Sequence, residues 1–137
     1  MKSFWLGIAL WAGLSGQAAV ADTTGFDRAG AEAVVSAYLG ALVQGDVGTI
    51  RPLLGGAFGD RKAALLNTPG YGARLAGLYA GASHRITRVE GLANGTLAVD
   101  AQLLMDDAST LDTRFIVEPV IDPRSGQARY RVIGEVD

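Results

Sequence analysis

The side chains best suited to act as general base or metal ligand in this chain are few in kind: one histidine, no cysteine and 14 carboxylates. His84 is the one side chain whose ordinary pKa lies near neutrality, and it stands between Ser83 and Arg85 at the mouth of a segment that reads as a strand. Neighbours on a strand point to opposite faces, so Ser83 and His84 cannot work as nucleophile and base, and His84 reads as a strand-end surface residue. A zinc site is excluded by composition. Asp106, Asp107 and Asp112 crowd one stretch, yet they lack the alternating acids, central glycine and closing glutamate of a calcium loop, so they read as solvated turn acids and no metal is expected. Gly55-Gly56 and Gly59 are not followed by the lysine and hydroxyl residue of a phosphate loop. Arg61-Lys62 beside Phe58 would suit an anion at a helix start, but a solvated helix face accounts for them better. Asn94-Gly95-Thr96 has the form of a glycosylation acceptor, but a hairpin already explains it.

The elements that must position these residues divide the chain in two. From Asp27, Ala31, Val34, Val35, Tyr38, Leu39 and Leu42 recur at helical spacing, and Gly45 suits a left-handed stop. Asp46 can cap a second short helix carrying Val47, Ile50, Leu53 and Leu54, ended by Gly55-Gly56. A third helix follows Asp60, and Pro69 opens a fourth with Tyr71, Leu75, Leu78 and Tyr79 on one stripe. After Ala82 the period falls to two, and the rest reads as about four sequential strands. Leu97, Val99, Ala101, Leu103 and Met105 mark the clearest, entered through Asn94-Gly95 as a type I′ turn. Phe115, Val117 and Ile121 mark the next, with Pro119 at an edge or bulge. The last strand sets Tyr130, Val132, Gly134 and Val136 against Arg129, Arg131 and Glu135. One sheet face is therefore wet and the helices cover the other, which makes a single α+β domain with short N-terminal helices on a curved antiparallel sheet.

The helix Ala33-Val34-Val35-Ser36-Ala37-Tyr38-Leu39, the Gln44-Gly45-Asp46 step and the strand Arg129-Tyr130-Arg131-Val132-Ile133-Gly134 resemble the nuclear transport factor 2-like superfamily, with Tyr130 where members often carry tryptophan. A cystatin-like helix over four strands is the competing architecture. The resemblance implies a cone with a pocket between helices and sheet, in a family that holds isomerases, dehydratases and non-enzymatic members. Catalysis of the family's kind would need a carboxylate lifted in pKa by an apolar pocket, with a tyrosine beside it. By alternation Asp100 and Glu118 project away from the apolar face, where pairing with Arg114, Arg129 or Arg131 is their expected role. The pocket lining would instead come from Tyr38, Tyr71, Tyr79, Phe115 and Tyr130, each of which core packing explains as well.

Lys2, the uninterrupted apolar run Phe4 to Leu14 and Ala19-Val20-Ala21 have the order of a secretory signal peptide over residues 1–21, cleaved after Ala21. The run is well short of the about 20 apolar residues of a membrane span. Residues 22–137 would be the domain, periplasmic or secreted, without disulfides although that compartment permits them. With 12 basic against 14 acidic residues, one of the former being Lys2, the chain lacks the basic excess of a nucleic-acid binder. The expected function is an exported, non-catalytic, cofactor-free module that binds a small apolar molecule or an envelope protein, with self-association through the sheet compatible with either. The alternative is a cofactor-independent isomerase or dehydratase.

Overall fold

The helical and the two-residue periods of the sequence become two layers. The computed structural model describes residues 18–136, with side chains inside α1 from Arg28 onward. Residues 1–17 of the predicted signal peptide lie outside the described residues, and Ala18 to Ala21 fall in the first turn of α1. The order is α1 (Ala18–Gln44), α2 (Val47–Ile50), a 3-10 turn at Arg51–Leu53, α3 (Gly56–Leu66) and α4 (Tyr71–Leu78), then β1 (Ser83–Gly91), β2 (Leu97–Leu104), β3 (Thr110–Ile121) and β4 (Ala128–Val136). The protein is α+β, with four α-helices and an open four-stranded antiparallel sheet in the order β1-β2-β3-β4 among the described residues. No helix among the described residues is long and apolar enough to cross a membrane.

α1 buries Ala31, Val34, Val35, Tyr38 and Leu39 on one stripe against the sheet. It starts before Asp27, where the periodicity begins. Its end is chemical: Gly45 takes φ 69°, and the bonds Asp46 N–H to Ala41 O (2.9 Å) and Gly45 N–H to Leu42 O (3.1 Å) satisfy the last carbonyls in a Schellman arrangement. A Cβ on Gly45 would also stand 2.1 Å from the carbonyl oxygen of Gly72, so the two glycines let α4 approach the end of α1 backbone to backbone. The Asp46 carboxylate then caps α2 by accepting from Thr49 N–H (3.2 Å) and Thr49 Oγ1 (2.7 Å), contacts that hold its pKa below the usual carboxylate range. At the other end of α1, Arg28 donates to the Val89 carbonyl at 2.8 Å and ties the helix to β1.

The opposing sheet face supplies Val89, Leu97, Val99, Ala101, Leu103, Phe115, Val117 and Val132. Full burial of each large aliphatic side chain stabilises by about 1.5–3 kcal/mol before entropy is counted. α3 starts at Gly56, ahead of the expected Asp60, because the chain there is docked on β4: Leu54 bridges Val132, Gly55 N–H donates to Val132 O at 2.9 Å, and Ile133 lies 3.6 Å from where a Gly56 Cβ would stand. Leu78, expected on the buried stripe of α4, is instead 63 % exposed at the last residue of the helix, while Leu75 of the same turn is buried.

The β1–β2 turn differs from the expected type I′. Gly95 alone has positive φ, 85°, and Gly95 N–H bonds Leu92 O while Leu92 N–H bonds Thr96 O, which is a three-residue loop with glycine in the left-handed position. The β2–β3 turn repeats the pattern with Ala108 at φ 72°. Pro119 sits where β3 has outrun β2, whose pairing stops at Leu97–Val117, so its missing N–H interrupts no inner ladder. The bulge is not at Pro119, which pairs Tyr130, but on β4 opposite Ile116 and Val117: Ile116 pairs Gly134 and Val117 pairs Val132, leaving Ile133 as the extra residue.

Candidate functional site

That extra residue decides which side chains meet. With Ile133 inserted, the alternation of β4 reverses beyond it, and Glu135 pairs in register with Phe115, whose ring is buried on the inner face. Glu135 is thereby turned to the helical side instead of the wet face where simple alternation puts it, and Gly134 and Val136 exchange faces with it. The sequence carries one signal of this: Val132 and Ile133 are consecutive β-branched residues followed by Gly134, a break in the period of two.

Between the C-terminal half of α1, α3, α4 and the ends of β2–β4 lies a cavity of about 460 Å³. α1 contributes Tyr38, Leu39 and Leu42, and α4 contributes Tyr71 and Leu75, with Tyr79 capping its end. The sheet contributes Leu103, Phe115 and Glu135, and Lys62 reaches the cavity from α3. Tyr38 and Phe115 set their orientation mutually, edge to face with centroids 5.7 Å apart and planes at 78°. Glu135 and Leu111 are exposed and stand where the cavity meets solvent, whereas Tyr38 is 3 % exposed at its floor. Burial pushes the Tyr38 hydroxyl well above the ordinary phenol range, and the charge of Glu135 and the nearby hydroxyls of Tyr71 and Tyr79 push it further. The Tyr38 phenol therefore keeps its proton beyond the pH at which an exposed tyrosine ionises.

The aromatic set expected from sequence is thus divided. Tyr38, Tyr71, Tyr79 and Phe115 line one cavity. Tyr130 does not line it. It faces the same side of the sheet, but its ring is laid over α1 at Gly30, where an added Cβ would come within 2.1 Å of the ring carbons. The missing side chain of Gly30 leaves the room that the Tyr130 ring occupies.

No family model, curated protein or solved structure matches this chain.

The remaining candidates are accounted for by local contacts. His84 is half-buried at the start of β1, opposite Leu103 in register, with Ser83 and Arg85 on the other face. Asp107 closes its turn by accepting from Ser109 N–H (3.0 Å) and Oγ (2.6 Å), while Asp112 is separated from it on β3 and accepts from Gln102 at 3.0 Å. Because α3 begins at Gly56, Arg61 and Lys62 are in its second turn and not at its start, and both cations lie over the Phe58 ring, at 6.0 and 5.6 Å from its centroid. On the outer face Asp100 accepts from Arg114 Nε (2.8 Å) and a terminal nitrogen (3.1 Å), and Arg114 also reaches Glu90 at 3.0 Å. Arg114 holds the Asp100 carboxyl below the usual range through those hydrogen bonds. Glu118 accepts from Arg131 at 2.7 Å.

Proposed function

We propose that this protein is an exported binding module that takes a small molecule with an apolar body into the Tyr38–Phe115 cavity and performs no chemistry on it. The observation that carries the reading is the cavity itself. Ligand pockets run from about 300 to 1,000 Å³ and combine apolar walls with a few polar groups; this one holds about 460 Å³ between three tyrosines and a phenylalanine. The neighbouring core, at Val35, Val99, Val117 and Val132, is fully buried, so the opening is confined to one end of the layer interface. Helices over an antiparallel sheet with a cavity between them support a nuclear transport factor 2-like arrangement, and the order of charge, apolar run and small residues over 1–21 supports export.

One observation favours the enzymatic alternative: the bulge brings the Glu135 carboxylate and the Tyr38 hydroxyl to the same cavity. Against it, Glu135 is exposed, and the chemistry needs a carboxylate enclosed by apolar groups. Native mass spectrometry of the protein from its own envelope fraction tests the proposal. The expected result is an intact mass beginning at Asp22 with a reproducible small-molecule adduct that leaves unchanged on extraction. An unliganded mass overturns the binding reading, and recovery of a chemically altered adduct that Glu135→Gln prevents transfers the case to the enzyme.

A further inference from the structure

Of the two asparagines in the chain, Asn94 is the one followed by glycine. Asn94 and Gly95 stand exposed at the tip of the β1–β2 loop. The Asn94 side chain is folded back on that loop, where one of its atoms meets Thr96 N–H at 3.3 Å and Thr96 Oγ1 at 2.6 Å. A backbone N–H only donates, so the atom held there is the amide oxygen. Two donors on one carbonyl oxygen draw electron density from its carbon and stabilise the negative charge that develops when a nucleophile adds to it. The backbone nitrogen of the next residue is the nucleophile that closes a ring on an asparagine side chain, and here it belongs to a residue without a side chain to shield it. Gly95 N–H has a long bond to Leu92 O, 3.3 Å, and no atom lies within 4 Å of where a Gly95 Cβ would stand. Asn67 offers a contrast within the same molecule. Its oxygen is also held, by Arg51 at 2.7 Å, but the nitrogen that would attack belongs to the β-branched Thr68 and is engaged by Leu65 O at 3.0 Å, just past the end of α3.

We propose that Asn94 is a site of spontaneous covalent modification, a deamidation that the folded β1–β2 loop promotes through Thr96. The Gly95 nitrogen gives its proton to solvent hydroxide and adds to Asn94 Cγ, with the Thr96 N–H and hydroxyl holding the oxyanion. The Cγ–Nδ2 bond then breaks, ammonia leaves with a proton from water, and a cyclic imide remains. Water adds to either carbonyl of the imide and opens it to aspartate or, with the main chain rerouted through the side-chain carbonyl, to isoaspartate. Water is the one co-reactant, and nothing is oxidised or reduced. The product carries a new negative charge at the tip of a loop, residues 92–96, that has no charged residue of its own. This modification is independent of whether the cavity binds a ligand.

Peptide mapping by mass spectrometry tests this, on protein expressed from the full-length sequence, kept at mildly alkaline pH and sampled over time beside the same protein unfolded in urea. In the folded protein Asn94 is expected to convert to a mixture of aspartate and isoaspartate at least as fast as in urea, while Asn67 stays an amide. Thr96→Val, which keeps the backbone donor and removes the hydroxyl, is expected to slow conversion of folded Asn94 about threefold to tenfold, the worth of one hydrogen bond. Thr96→Ser is expected to restore the parent rate, and the urea-unfolded rates of all three proteins should agree. Circular dichroism identifies any variant that has failed to fold, and the comparison of parent with Thr96→Ser then carries the test. An Asn94 that stays an amide in the folded protein while it converts in urea shows a loop that protects the residue and overturns the proposal. A folded rate unchanged in Thr96→Val, or conversion of Asn67 as fast as Asn94, overturns it as well.

Discussion

On the outer face of the sheet, Asp100 and Glu90 share Arg114 and Glu118 has Arg131, each contact at 3.1 Å or less. On the inner face Glu135 stands at the rim of a cavity walled by tyrosines, and its charge acts on the buried Tyr38 hydroxyl. The same side-chain chemistry thus has two destinations. Outside, a carboxylate opposite a guanidinium in register is neutralised by protein and contributes modest, salt-screened stability. Inside, the bulge turns the carboxylate toward the helical layer, where its charge adds to the upward push on the buried Tyr38 hydroxyl. The difference comes from strand parity alone, and one bulged residue sets that parity for Glu135.

The largest effect should come from removing the buried ring of the inner face. Phe115→Ala is expected to cost about 3–5 kcal/mol in urea denaturation, through lost burial and an enlarged cavity, and to release Tyr38 from its edge-to-face contact. A cost below about 1 kcal/mol would mean that this end of the core is not packed as described.

Next in size is the outer face. Asp100→Asn is expected to lose about 1 kcal/mol at pH 7. The pKa of Asp100 is lowered in the folded state, so its contribution is complete above the unfolded value of about 3.9 and disappears as pH falls through the lowered one. Parent and variant should therefore converge in stability at strongly acidic pH, and parallel curves down to that range would break the contrast.

Tyr38→Phe probes the inner face from the alkaline side. The raised Tyr38 pKa means that the folded state holds this proton more tightly than the unfolded chain, so stability is complete below about pH 10 and falls as pH rises beyond it. The phenylalanine variant should shift neutral-pH stability by about 1 kcal/mol or less and lose less than the parent above pH 10. Equal alkaline losses would show that Tyr38 is not the group responsible. The smallest change belongs to neither face: Ala108→Gly relieves a left-handed alanine in the β2–β3 turn and is expected to gain about 0.5–1 kcal/mol in thermal unfolding. Its acid and alkaline limbs should stay those of the parent, which makes it the reference for the other variants.

Much of the outer face was legible from local pattern. Asp100 between Val99 and Ala101 has its direction dictated by the pleat, and an arginine across the next strand follows from the sheet order. The helix caps were legible too, since Gly45 and Asp46 act through their own backbone and nearest neighbours. Glu135 was not legible by parity, because counting from Tyr130 assumes an unbroken ladder and Ile133 breaks it to pack on Gly56 at the start of α3. Tyr130 was misplaced for a related reason: its face was read correctly, but a ring reaches several ångströms across the interface, and where it stops depends on which helix residue leaves room.

The amino-acid sequence by itself determined the order of helices before strands, the stripe of α1, the meander and the pairing of the wet-face carboxylates. Those follow from periodicities and caps that act over a few residues. Only the tertiary structure decided that Glu135 joins Tyr38, Tyr71, Tyr79 and Phe115 while Tyr130 leaves them for Gly30. Both outcomes rest on contacts between residues far apart in the chain, the bulge against α3 and the ring against α1, and close packing across layers selects among arrangements that local pattern leaves equal.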